Sequence, residues 1–224
     1  MMVRLQSQVM MPAFLRDAAR QVRAITGFDR AMIYRFHEDG VGEVVAEAAR
    51  SPANPFLGLH YPASDIPVQA RALYLRSPFR VIADVHAQTS AILPQTVSTA
   101  PLDLSLAVTR AVSPVHLEYL RNRGVGASLS ISIIVEGRLW GLIACHHDTA
   151  RLPSFVMRTA AELFGAMFSL TLESRPGGRR RRCGATTRRS HDPDDWRQLT
   201  SVRISLHDFG TRRSPDGTLR LVLA

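Results

Sequence analysis

The chain predicts an α+β fold, an antiparallel sheet flanked by helices, followed by a basic C-terminal tail. Three observations carry that reading. Two pairs of strand-like segments, 31–36 with 42–48 and 127–135 with 138–147, are each joined by a short polar turn, His37-Glu-Asp-Gly40 and Glu136-Gly137. Helical periodicity flanks them at 12–26 and 153–174, and further helical patterns intervene. No internal repeat is present, so strand hairpins with helices packed on them are the remaining arrangement.

Length and composition set the bounds. The chain has 224 residues, of which 46% are hydrophobic and 7% aromatic, so aliphatic side chains must fill the core. All 28 basic residues are Arg, which points to GC-rich coding more than to a selected surface. The net charge of +9 is unevenly spread: residues 1–174 hold 16 Arg and 14 acids, residues 175–224 hold 12 Arg and 5 acids. The basic character thus belongs mostly to the tail. No run approaches the ~18 apolar residues of a membrane span. The N-terminus has no signal-peptide apolar region, and two cysteines make no disulfide framework. A cytoplasmic protein without membrane contact is the expectation.

The elements follow in order. Residues 12–26 place Phe14, Leu15, Ala18, Ala19, Val22 and Ile25 at helical spacing, and Gly27 ends the helix. In 31–36, Met32, Tyr34 and Phe36 share one strand face. Residues 50–60 read as an irregular loop. It leads into Tyr61-Pro-Ala-Ser-Asp-Ile-Pro67, where two prolines fix φ and bias Tyr61 and Ile66 toward extended backbone. Ser64 and Asp65 are expected to cap a helix over 67–76, and by local chemistry alone this is an ordinary helix start. A short strand is expected at 79–83, a long loop at 84–100 and a helix at 102–111.

Ser113 and Pro114 then open a helix that sets His116, Tyr119 and Leu120 on one face and stops at Gly124 and Gly126. In 127–135, Ser128, Ser130 and Ser132 alternate with Leu129, Ile131 and Ile133. Alternation alone leaves the serine face open between a solvent-facing edge and a polar site. In 138–147, Trp140, Leu142, Ala144 and His146 are expected on one face. His146 and His147 then point apart, Cys145-His146-His147 makes no metal triad, and no metal ligands are assigned. Pro153 opens the last helix, with Phe155, Ala160, Leu163, Phe164, Met167 and Leu170 expected as its apolar side.

Four of these stretches, in order, resemble motifs of the chromophore-binding GAF domain of phytochromes. They are Phe28-Asp-Arg-Ala-Met-Ile-Tyr-Arg-Phe-His37, Tyr61-Pro-Ala-Ser-Asp-Ile-Pro67, Ser113-Pro-Val-His-Leu-Glu-Tyr-Leu-Arg-Asn-Arg-Gly124 and Leu139-Trp-Gly-Leu-Ile-Ala-Cys-His-His147. The resemblance runs from about Met11 to Glu173 and points to the bacterial branch. It implies the GAF fold, with about six antiparallel strands, over 1–174. It also implies a red/far-red photoreceptor module whose pigment is biliverdin, a linear tetrapyrrole that signals by light-driven isomerisation.

The same resemblance implies the pigment contacts. Arg80 and Arg110 stand where the family places arginines near the propionates, and a guanidinium fork suits a carboxylate. For either residue a plain surface arginine is the alternative. Ser128 and Ser130 match other propionate-binding positions, and Tyr74 is a propionate-side contact. His116 matches the histidine beside the pyrrole nitrogens, and His146 the one near the ring D carbonyl. Tyr34 and Tyr119 match aromatics around ring D. Asp65 matches the aspartate whose backbone carbonyl faces the pyrrole nitrogens, and Tyr61, Ile66 and Pro67 complete that signature. Packed core residues are the alternative for these histidines and tyrosines.

Departures from the pattern set further expectations. Plant and cyanobacterial relatives attach the pigment through a Cys directly before the helix His; here that residue is Val115. Bacterial relatives use a Cys near the N-terminus, ahead of a PAS domain, and this chain begins almost at the GAF helix. Non-covalent pigment is therefore expected, and a truncated gene would explain both ends. Residues 175–224, with Arg179 to Arg182, read as a disordered tail without specific nucleic-acid binding. Within it, Val202-Arg-Ile-Ser-Leu-His-Asp-Phe-Gly-Thr211 faintly resembles a strand of the cyclic-di-GMP phosphodiesterase domain, with His207 in place of an aspartate. No enzyme activity is expected. The alternative function is a pigment-free GAF module, serving dimerisation through the helices at 12–26 and 153–174 or sensing another small molecule, or a non-functional fragment.

Overall fold

The computed structural model describes residues 10–51, 54–92 and 102–175. Its elements are α1 (Met11–Thr26), β1 (Arg30–Phe36), β2 (Gly42–Ala49), β3 (His60–Tyr61), a 3-10 turn (Ala63–Asp65), α2 (Val68–Arg76), β4 (Phe79–Ile82), α3 (Pro114–Asn122), β5 (Ala127–Val135), β6 (Arg138–His147) and α4 (Phe155–Glu173). The six strands form one antiparallel sheet in the order β3-β2-β1-β6-β5-β4. The two sequence-adjacent hairpins, β1–β2 and β5–β6, thus meet along β1 and β6 at its centre.

Alternation along the strands divides the sheet into two faces. One is covered by α1 and α4. Phe14, Ala18, Ala19 and Val22 of α1 are fully buried there with Phe28, Ile33, Leu129, Ile143 and Phe168. The Phe14 and Phe168 rings stack at 5.0 Å between centroids. Gly165 lets α4 lie close to the sheet, since a Cβ there would fall 2.4 Å from Ile131 Cγ2. The stop at Gly27 is as expected, and the last helix begins at Phe155, two residues after Pro153. Gly27, at φ +64°, closes α1 with its amide on the Arg23 carbonyl, and Ser154 caps α4 by accepting from the Met157 amide.

Five expectations are corrected. Residues 102–111 form no helix. The Asp103 carboxylate accepts the Ser105 amide at 2.8 Å and the Leu104 carbonyl accepts the Ala107 amide at 2.9 Å. Such local side-chain bonds compete with helix formation. The segment lies beside β4 instead, with the Val108 carbonyl accepting from the Val81 amide. Ser64 and Asp65 do not cap α2: Pro67 occupies its N-cap without a side-chain bond, so the pair falls two to three residues early. Ser113 stands at the α3 N-cap but its side chain makes no capping bond.

The apolar side assigned to α4 faces outward except at Phe164. Phe155 is 74% exposed, Leu163 61%, Leu170 68% and Met167 37%, whereas Ala161, Phe164, Phe168 and Leu172 are buried. The helix is apolar around much of its circumference, so periodicity alone could not choose the buried face. By length and composition α4 could cross a membrane, yet its inner face packs on β5 and α1. Trp140 leaves the face of Leu142, Ala144 and His146 because the β5–β6 register skips at this point, and it joins the core under the helices. The tail from 176 onward, with Cys183 and His207, lies outside the described residues.

Candidate functional site

The second face of the sheet is the floor of a cavity of about 360 Å3, within the range of ligand sites. Strand register lays its residues in rows. Tyr34 of β1 stands opposite Val44 and Leu142, and Met32 opposite Ala144, which faces Ser130, which faces Arg80. In the next row Ser128 stands opposite His146. The walls are Tyr61 with the segment 64–67, Ala70 and Tyr74 of α2, Ser113, Val115, His116, Tyr119 and Leu120 of α3, and Phe56 from the loop before β3.

Of the residues singled out from the sequence, Tyr34, Tyr61, Asp65, Ile66, Pro67, Tyr74, Arg80, His116, Tyr119, Ser128, Ser130 and His146 all line this one cavity. The serine face of β5 is therefore turned inward: Ser128 and Ser132 are buried, and the Ser132 hydroxyl donates to the Tyr74 carbonyl at 2.7 Å. Arg110 is not in the cavity wall. Its Nη1 donates to the Ala107 carbonyl at 2.6 Å, and its guanidinium lies in the field of Arg80. His147 points away and pairs with Asp29 at 2.7 Å, and Cys145 is fully buried in the helix-side core.

Sequence reasoning missed three cations and one ring that build the walls. Arg71 ties the segment 63–67 down: Nε donates to the Ile66 carbonyl at 2.7 Å, while Nη2 donates to those of Gly40 at 2.7 Å and Ala63 at 3.2 Å. Its guanidinium also lies 4.5 Å from the Phe36 ring. Arg123 donates to the Tyr61 hydroxyl and sits 5.0–5.3 Å from the rings of Phe56, Tyr61 and Tyr119. Phe56 is fixed because Glu47 accepts the amides of Phe56 and Leu57 and pairs with Arg30, whose guanidinium covers the Phe56 ring. These contacts join distant segments and leave no local sequence signal. Gly42 did leave one: a Cβ there would fall 1.7 Å from the Tyr34 hydroxyl oxygen, so only glycine admits the tyrosine ring.

The electrostatics of the cavity are unusual for a plain core. Arg80 is 7% exposed, and its Nε and Nη2 are buried without a hydrogen-bond partner. Arg110 Nε and His146 Nδ1 are likewise buried and unpartnered. Burial, reinforced by Arg80, pushes His116 down to about 4. Burial, then Arg30, His116 and Arg123, pushes His146 down to about 3. Both rings are neutral at pH 7. Burial and Asp65 push Tyr34 up to about 12, and burial raises Tyr119 as well, so both hydroxyls keep their protons. The site is a slot with apolar and aromatic walls, a buried cation with open donors and two neutral imidazoles. Such a slot suits a flat, partly anionic ligand.

Comparison with known proteins adds the following. The GAF domain family model matches residues 11–175. A bacteriophytochrome of Xanthomonas campestris is 52% identical over 146 residues, covering 64% of this chain and 23% of that protein. The phytochrome-like protein Cph1 of Synechocystis is 48% identical over 166 residues, covering 72% and 22%. A bacteriophytochrome of Pseudomonas aeruginosa is 43% identical over 193 residues, covering 82% and 26%. The chain thus spans about a quarter of the length of these relatives. Among solved structures, the wild-type chromophore-binding domain of Stigmatella aurantiaca phytochrome P1 superposes with a TM-score of 0.71 at 45% identity, covering 75% of this chain and 56% of that one. The chromophore-binding domain of a bacteriophytochrome from R. palustris gives 0.73 at 43%, covering 76% and 57%.

Proposed function

The chain belongs to the GAF domain family and is homologous there to bacterial and cyanobacterial phytochromes, and on that premise we propose that it is a red/far-red photoreceptor module that binds biliverdin. The observation that carries the proposal is Arg80. A buried guanidinium with two open donors at the wall of an apolar cavity is unfavourable unless a carboxylate completes it, and a tetrapyrrole brings two propionates.

The residues present fit such a pigment. Arg80, with Ser128 and Ser130, would hold a propionate, and Arg110, in the field of Arg80, is a second cation. His116 and His146, both neutral, would offer a nitrogen to pyrrole groups or to a carbonyl. Tyr34, Tyr61 and Tyr119 would pack against the rings, and Asp65, Ile66, Pro67 and Tyr74 would close the wall. When bound, the pigment supplies red-light absorption and isomerisation. The chain excludes water from it, orients it and feels its change of shape. No thiol among the described residues lines the cavity: Val115 precedes His116, and Cys145 faces the other core. We therefore propose that these residues hold the pigment non-covalently; we propose separately that the chain is not an enzyme and that it works in the cytoplasm through a partner.

The outward stripe of α4 favours a dimer as part of this function. Val156, Ala160, Leu163, Met167 and Leu170 recur at spacings of four and three, the seam of a helix pair, and are exposed or partly so. The outer face of α1 is largely polar, so α4 is the helix proposed to meet a second copy.

The deciding experiment is an absorbance spectrum of the purified protein with biliverdin, before and after red light and after acid-urea denaturation. A narrow red band that changes reversibly, with pigment extractable after denaturation, is expected. A spectrum equal to free biliverdin would overturn the proposal in favour of a pigment-free module.

A further inference from the structure

We propose that His37, Glu43 and His60 form a binding site for Zn2+ or a similar late first-row divalent cation, at the edge of the sheet and outside the cavity. The residues are 6 and 17 positions apart and form no sequence motif; register brings them together. Glu43 of β2 stands directly opposite His60 of β3. The turn after β1 returns the chain so that the His37 amide donates to the Val41 carbonyl and its ring Nε2 stands 2.9 Å from Glu43 Oε2. The potential ligand atoms of all three lie within 4.8 Å of one another.

Two features point to a metal and not only to a surface ion pair. Ligand atoms at about 2.1 Å from one ion stand roughly 3.0–3.4 Å apart in octahedral or tetrahedral geometry. His37 and Glu43, 2.9 Å apart, need only a slight widening to reach that spacing, and an ion would take the place of the shared proton, which leaves to solvent. The second feature is the tautomer of His60. Its Nδ1 lies 3.0 Å from the Gly58 carbonyl oxygen, which can only accept. Nδ1 therefore carries the hydrogen and Nε2 keeps its lone pair, the arrangement that a backbone carbonyl imposes on metal-binding histidines. The two imidazole rings face each other at 15° and 6.2 Å. His60 is exposed, so its ring can shift toward the other two ligands without disturbing the core. Two imidazoles and one carboxylate suit zinc better than calcium or magnesium, and three protein ligands leave room for water.

The position gives the site a consequence. β3 is a two-residue edge strand, and Tyr61, the residue after His60, lines the cavity ahead of the segment 63–67. An ion shared by the ends of three strands would pin this edge.

The test is a zinc titration of the metal-free full chain against a colorimetric chelator, with His37→Ala, Glu43→Gln, His60→Ala and, as a control outside the cluster, His86→Ala. One equivalent bound by the parent and by His86→Ala, weakened roughly 10–100-fold or more in the cluster variants, is expected, since loss of even an outer partner has that effect. Zinc should also raise the unfolding temperature of the parent and not of His60→Ala, whose exposed position leaves the metal-free fold intact. No uptake by the parent, or equal uptake by all variants, would overturn the proposal.

Discussion

Replacing Arg80 with methionine is expected to move two properties in opposite directions. In the pigment-free protein, Nε and Nη2 of this residue are buried without partners. A buried unsatisfied donor costs about 1–3 kcal/mol, and Arg110 and His116 lie in the field of the same charge. Methionine keeps most of the stem's apolar contact and removes the donors and the charge. Part of the gain is lost because the site can relax, so the pigment-free protein is expected to become more stable by about 1–3 kcal/mol. Pigment binding should change the other way. A propionate bound by the guanidinium gains charge-assisted hydrogen bonds of about 1.5–3 kcal/mol each. A net loss of about 2–4 kcal/mol corresponds to roughly thirty- to several-hundredfold weaker binding.

Both quantities are accessible. Urea unfolding of the pigment-free variant gives the first, read as a shift in midpoint at constant slope. An absorbance titration with biliverdin gives the second. Arg110→Gln is the comparison, and because Arg110 is not in the cavity wall its effect on affinity should be smaller. An Arg80→Met protein that is less stable without pigment and binds it as tightly as the parent would show that Arg80 is a structural cation and refute the reasoning.

Three further outcomes are expected. Gly42→Ala should displace the Tyr34 ring, destabilise by about 1–3 kcal/mol as overpacking does, and weaken biliverdin binding; unchanged urea midpoint and affinity would contradict the close packing. His116 and His146 titrate near 4 and 3 in the fold and near 6.5 when unfolded. The unfolded chain therefore binds more protons as pH falls from about 6.5 toward 4, and stability should drop over that window by up to about 1.4 kcal/mol per pH unit for each ring. His146→Gln should flatten the drop, and a constant parent–variant difference between pH 7 and pH 5 would count against its burial as a neutral ring. Leu163→Glu should abolish dimers in sedimentation while changing stability by no more than about 0.5 kcal/mol, because the side chain is exposed; a dimer that persists would rule out the α4 seam.

The parts of the fold legible in the sequence are those where one local rule decides. The strands at 127–135 and 138–147 are found at those bounds because two strand-like runs joined by a Glu-Gly turn make one hairpin. α1 is equally plain, with a narrow apolar stripe between Pro12 and Gly27. Where two rules compete, the sequence misleads. The helical spacing of apolar residues in 102–111 loses to the Asx turn at Asp103. The alternation in β6 loses to a register skip at Trp140. For the site, the family motifs carried the positions that now line one cavity, but Phe56, Arg71 and Arg123 are each tied to a distant partner, Glu47, Gly40 and Tyr61 respectively, and nothing local marks them.

The two faces of the sheet differ in what they bury. The face of the sheet under α1 and α4 is packed from apolar side chains, and the arginines at its margin lie over rings, Arg151 over Phe28 and Arg175 over Phe14. The opposite face holds the unpartnered Arg80, the two imidazoles kept neutral and the glycine required by Tyr34. A buried cation with open donors and two neutral imidazoles facing one cavity indicate a site that a ligand completes. The same division says where a change in the ligand would be felt. The floor is held by continuous ladders between β1, β6 and β5. The wall at 61–67 is held by a two-residue strand, one short turn, the three bonds of Arg71 and the bond from Arg123 to the Tyr61 hydroxyl. With fewer bonds to break, that wall is the part that yields first when the ligand changes shape.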